Sequence, residues 1–113
     1  MKLPRILQFL RSFIFGDRGN GPDGEVLSFP NPSRDFVRSK KQVHFIGYDS
    51  VIEISFFLEM DALLKLQPNL DDGESAILQA FDDARQQIQE VASQVYKNRP
   101  NLTFTYHLGP ADF

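Results

Sequence analysis

The sequence predicts an α+β fold: a small antiparallel sheet of three or four strands, packed on one face by a long C-terminal helix and a short helix. Three stretches carry that expectation. Residues 41–58 are two runs dense in Val, Ile and Phe, joined by Gly47-Tyr48-Asp49-Ser50. Such side chains suit a pleated, half-buried surface, and Gly with Asp favours a tight reversal, so the stretch reads as a β-hairpin. Farther on, Ile77, Ala80, Phe81, Ala84, Ile88, Val91, Ala92 and Val95 recur at helical spacing, with Gln, Asp, Glu and Ser filling the other side. Residues 102–108 then alternate, with Leu102, Phe104, Tyr106 and Leu108 against Thr103, Thr105 and His107, as a strand with one wet face does.

Taken in order, residues 1–15 form a basic amphipathic segment. Leu3, Ile6, Leu7, Leu10, Phe13 and Ile14 share a helical stripe, and Lys2, Arg5 and Arg11 are its only charged side chains. That pattern suits a helix in a membrane interface or in a partner's groove. Arg11 interrupts the apolar region and no small-x-small site follows, so a secretory signal is not expected. Residues 16–24 hold four of the seven glycines and read as a flexible linker. A phosphate-binding loop there would need a preceding strand and a following Lys-Ser/Thr, and it has neither. A single α+β domain is expected over residues 25–113.

Val26-Leu27-Ser28-Phe29 reads as a short strand stopped by Pro30 and Pro32. The segment 33–41, with Arg34, Arg38, Lys40 and Lys41 against Asp35, reads as a solvated basic turn. In the hairpin's second run, Ile52, Ile54, Phe56 and Leu58 share one face, and Val51, Glu53, Ser55 and Phe57 share the other. A short helix over 59–66 is expected to start on Asp61 as N-cap and to end before Pro68. The long helix is expected to open on an Asp71–Glu74 capping box and to close at Asn98 and Pro100. About twenty-six residues would make it roughly 39 Å long, enough to cross a sheet.

The totals limit the function classes. A chain of 113 residues is one small domain. The absence of Cys excludes disulfides, zinc-thiolate sites and cysteine nucleophiles, and fits a reducing, cytoplasmic compartment. A net charge of −3 argues against a general nucleic-acid binder, which needs a basic face. No apolar run approaches the eighteen or so residues of a membrane span.

Four blocks carry a family resemblance: Leu27-Ser28-Phe29-Pro30-Asn31-Pro32-Ser33-Arg34, Val43-His44-Phe45-Ile46-Gly47-Tyr48-Asp49, Ala80-Phe81-Asp82-Asp83-Ala84-Arg85 with Ile88, and Ala111-Asp112-Phe113. Through them residues 26–113 resemble the YrdB-like proteobacterial family, a domain of unknown function (DUF1488). Family members often read Tyr-Asp where this chain has Asp35-Phe36, which removes any role that resemblance would give a tyrosine there. The resemblance implies a compact α+β fold with an antiparallel sheet and packed helices, in a bacterial protein. It implies no activity. Family chains begin close to Val26, and GTG or TTG codons can initiate, so the alternative expectation for residues 1–25 is translation from upstream of the native start.

Candidate chemistry is sparse. His44, Glu53 and His107 could share a sheet face and mimic a two-His-one-carboxylate metal site, although no local spacing requires it. Tyr48, Phe57 and Tyr106 could form an aromatic platform of the kind that stacks RNA bases, but no basic-aromatic run accompanies them. Arg85 could hold an anion or a partner carboxylate; pairing with Asp82 three residues earlier is the preferred reading. No GxSxG or HExxH occurs, and no catalytic residue or cofactor is expected. The sequence therefore favours a non-enzymatic binding or accessory module. Its interaction surface would draw on Arg34, Arg38, Lys40, Lys41, Arg85 and Tyr48, and its partner would be a protein. The alternative is a peripheral membrane protein docking on anionic lipid through Lys2, Arg5 and Arg11, and a metal protein or enzyme comes third.

Overall fold

A computed structural model describes residues 27–99 and 103–113. The amphipathic segment, the Gly-rich linker and Val26 lie outside the described residues.

The hairpin forms the centre. Strand β3 (Gln42–Asp49) pairs antiparallel with β4 (Ile52–Glu59) along their whole length, closed by Asp49 opposite Ile52. The reversal is therefore the two residues Ser50 and Val51, with Ser50 at φ 57°. A positive φ at the first turn residue matches the twist of the flanking strands. Gly47, expected in the turn, instead lies buried inside β3, where a Cβ would meet Cε1 of Phe29 at 2.7 Å. Glycine here makes room for an aromatic ring.

Two short strands share the other edge of β3. Strand β1 (Leu27–Ser28) pairs with Tyr48 and Asp49, and β2 (Arg34–Val37) pairs with residues 42–45, both antiparallel. Residues 29–33, with Pro30 and Pro32, loop out between them. Strand β2 corrects the expectation of a solvated turn over 33–41. Alternation was present but masked by charge: Arg34 and Phe36 face the core side while Asp35 and Val37 face away. The turn proper is a short 3-10 stretch, Arg38–Lys40, ended by Lys41 at φ 52°.

Strand β5 (Thr105–Leu108) pairs with β4, and it runs parallel. The sheet is thus mixed and five-stranded, in the order β1-β3-β4-β5 with β2 also on β3. The long helical connection from β4 returns the chain to the starting end of the sheet, which is what a parallel neighbour requires. Phe104, expected to face inward, precedes the strand at φ 58° and is 45% exposed.

Three helices occupy that connection: α1 (Met60–Leu66), α2 (Glu74–Asp83) and α3 (Arg85–Asn98). The long helix of the sequence reading is broken at Ala84 (φ −106°, ψ 13°), whose amide is shared between the Ala80 and Phe81 carbonyls at 3.1 Å. The ladder resumes with Ile88 donating to Ala84. Caps differ from expectation too. Helix α1 starts after Glu59, placing Asp61 in its first turn, and α2 starts after Gly73, while Asp71 accepts from the Asp72 amide instead of capping. Asp61 and Glu74, in the first turns, still meet the positive ends of their helices.

All three helices bury their apolar residues on one face of the sheet. Ala62, Leu63, Ile77, Ala80, Phe81, Ile88, Ala92 and Val95 join Val43, Phe45, Ile54, Phe56, Leu58, Tyr106 and Leu108 in a single core. Phe45 contacts Phe56 and Phe81, each with centroids 5.2 Å apart, and Phe29 leans on Phe45 and Phe56. The face the helices leave uncovered carries His44, Tyr48, Glu53, Phe57 and His107 among the candidate residues.

Candidate functional site

Alternation fixes what that second face displays. Since Val43, Phe45, Ile54, Phe56 and Leu58 point into the core, their neighbours Gln42, His44, Ile46, Tyr48, Glu53, Ser55, Phe57 and Glu59 point away. The register aligns these residues in rows. Asp35, His44, Phe57 and His107 face one another across β2, β3, β4 and β5. Ile46, Ser55 and Thr105 form the next row, and Tyr48 with Glu53 the one beyond.

The first row is an aromatic stack. His44 and Phe57 lie 4.6 Å apart at 16°, and Phe57 and His107 lie 5.3 Å apart at 20°. Ring centroids this close at small angles require face-to-face offset packing, so the rings stand upright and turn their edges to solvent. A base-stacking platform needs exposed ring faces, and this row does not offer them. Tyr106, expected in such a platform, is instead buried in the core, stacked on Phe56 and meeting Tyr96 edge-on.

The metal constellation does not assemble either. Phe57 separates the two histidines, and Glu53, four residues before Phe57 on β4, lies about 13 Å along the strand. Metal donors must converge within about 2.6 Å of one ion. Among the described residues no group of His, Asp and Glu meets that condition.

His44 Nε2 and Ser55 Oγ are 3.2 Å apart, the beginning of a nucleophile–base pair. The pair lacks what acyl transfer needs. The Ser55 amide, which an oxyanion hole could draw on, is already donating to the Phe104 carbonyl at 2.9 Å. Asp35 sits opposite His44 without a hydrogen bond joining them among the described residues, and the surface is an open sheet, not a cleft.

The basic residues scatter. Arg38 is exposed, pairs with Glu74 at 2.8 Å and lies over the Phe36 ring. Lys40 and Lys41 are exposed at the β2–β3 turn, and Tyr48 is half-buried on the uncovered face. Arg34 and Arg85 do meet, on the helix side. Arg34 makes a bidentate pair with Asp82 (2.8 and 2.7 Å), and Arg85 donates to the same carboxylate at 2.6 Å while lying over the Phe81 ring. Hydrogen bonds from Arg34, with those from Arg85, hold the Asp82 carboxyl below the usual carboxylate range, and the bond to Asp82 raises Arg34 in turn. The cluster ties β2 to α2 across 48 residues of sequence. A second tie joins α3 to the hairpin: the Tyr96 hydroxyl donates to Asp49 at 2.5 Å, and this bond, with burial, pushes the phenol up to about 12.

The charge of the uncovered face is one-sided. Asp35, Glu53 and Glu59 occupy outward positions, and no Lys or Arg does so on the described strands. The structure thus offers an acidic sheet face with an upright aromatic row at its centre.

Comparison with known proteins agrees with the fold. A family model described as "Protein of unknown function (DUF1488)" matches residues 27–108. A crystal structure of a protein of unknown function from the DUF1488 family, from Shewanella loihica PV-4, superposes with a TM-score of 0.66 at 14% identity, covering 74% of this chain and 92% of that one. No curated protein matches the sequence.

Proposed function

This chain belongs to the DUF1488 family, and from that premise we propose that it is a non-enzymatic binding module whose working surface is the helix-free face of its sheet. One observation carries the reading. A sheet face left to water normally shows polar side chains, whereas this one centres on His44, Phe57 and His107 with Ile46 and Tyr48 beside them. Aromatic groups of this kind anchor protein–protein contacts once a partner excludes water around them. The acidic residues at Asp35, Glu53 and Glu59 select a partner that carries cations beside apolar side chains. The Arg34–Asp82–Arg85 cluster and the Tyr96–Asp49 bond hold the helix layer against the opposite face and keep the platform rigid.

Affinity capture from the native host tests the reading with Phe57→Ser, which removes the centre of the row without touching the core. The variant is expected to melt near the wild-type temperature and to lose the captured partner, while Gln87→Ala on α3 retains it. Unchanged capture by Phe57→Ser would overturn the assignment of the face.

A further inference from the structure

We propose that the helix-free face binds a second copy of this chain, in a two-fold dimer whose axis runs along the strands between β3 and β4. The inference rests on reading that face as a binding surface and names one occupant of it. A cation-bearing partner then competes with the dimer for the same surface.

The register supplies the complementarity. Asp35, His44, Phe57 and His107 cross the face in one row, with Gln42 and Glu59 in the row before it. Ile46 and Ser55 follow, then Tyr48 and Glu53. A two-fold axis along the strands lays β2 over β5 of the second copy and β3 over its β4, with each row opposite its own counterpart. Asp35 then meets His107, Glu53 meets the Tyr48 hydroxyl, and Glu59 meets the Gln42 amide. These three are the carboxylates at outward positions on the described strands, and each faces a hydrogen-bond donor. The symmetry makes every contact twice. Between them His44 meets Phe57 and Ile46 meets Ser55, which gives an aromatic centre inside a polar rim.

The other axis in the plane of the face fails on charge. Running across the strands, it keeps each strand over its own counterpart. Centred on the aromatic row it sets Asp35 against Asp35, and centred on the face it sets Glu59 against Glu53. Like charges opposed in this way suppress an interface. Aligned sheets cross at about 30°, so the outer rows shift by roughly one strand spacing, a distance that Tyr, Glu and Gln side chains span. Four strands of this length cover about 19 Å by about 26 Å, or about 500 Å² per copy. Twice that area is the lower edge of specific interfaces, which suits a reversible dimer that forms and parts with concentration.

Analytical ultracentrifugation of the full chain, from micromolar to near-millimolar concentration, tests the proposal. The average mass is expected to climb from one chain toward two. His107→Asp, which sets carboxylate against carboxylate twice, is expected to weaken association by about tenfold or more, with the melting temperature of the dilute protein unchanged. Adding Asp35→His to that variant is expected to restore association. The chain has no cysteine, so introduced thiols report the axis. A mixture of Asp35→Cys and His107→Cys chains is expected to join through a short bismaleimide. Either variant alone is expected not to, because like positions lie about 14 Å apart across the sheet. A mass that stays at one chain throughout overturns the proposal. So does a dimer indifferent to His107→Asp, and so does cross-linking within either variant alone. Failure here is distinguishable from failure of the binding-module reading: a chain that stays monomeric and still captures a host protein through Phe57 leaves that reading intact.

Discussion

Phe81 shows how one side chain couples helix to sheet. It is fully buried, packs against Phe45 and carries Arg85 over its ring. Phe81→Ala is expected to lower stability by about 3–5 kcal/mol, from lost transfer energy and the cavity left behind. Gln87→Ala, exposed on the outer side of α3, is expected to change it by less than about 0.5 kcal/mol; denaturant titration of both checks which face is buried. Asp82 supplies a pH-dependent contribution. Its folded carboxyl titrates below its unfolded value, so the stabilisation is complete above the ordinary carboxylate pKa of about 4 and fades as pH falls through the lower folded value. Stability of Asp82→Asn should lack that acid-side dependence when melting is followed with pH. Tyr96 works in the opposite sense. A phenol raised to about 12 contributes fully below the unfolded value near 10 and loses that contribution as pH climbs from 10 to 12. Tyr96→Phe is expected to remove the phenolate absorbance change near pH 12 and to cost about 1–2 kcal/mol at neutral pH, because Asp49 loses its donor.

At the scale of elements, the sequence was most legible where periodicity was strong and local. The hairpin, the core face of the long helical stretch and the inward Tyr106 and Leu108 all follow from spacing alone. What it hid depended on distant partners. Strand β2 reads as a basic turn because Arg34 is charged, yet Arg34 faces inward by pairing with Asp82, 48 residues away. Gly47 reads as a turn residue because nothing nearby reveals that Phe29 lies over it. The parallel direction of β5 is set by the whole helical connection, and no residue of β5 encodes it. Gly47→Ala is therefore expected to destabilise by about 1–3 kcal/mol through overpacking against Phe29. Ser50→Gly, relieving a positive φ, is expected to stabilise modestly. Thermal melts of the pair distinguish the buried strand glycine from a turn glycine.

For the molecule as a whole, the arrangement divides labour between two sheet faces. One is sealed by three helices and braced by the Arg34–Asp82–Arg85 and Tyr96–Asp49 ties; the other presents an upright aromatic row within an acidic field. The candidate site was half legible for the same reason. Alternation put His44, Glu53, Phe57 and His107 on a common face, but only the register shows that Phe57 separates the histidines and that Glu53 lies rows away. The measurement that tests the two-face account most directly is site-specific photo-crosslinking in the native host, with the reactive side chain at Ile46 in one variant and at Gln87 in another. Discrete adducts from position 46 and none from position 87 are the expected result. Adducts from position 87 alone would contradict it and move the working surface to the helices.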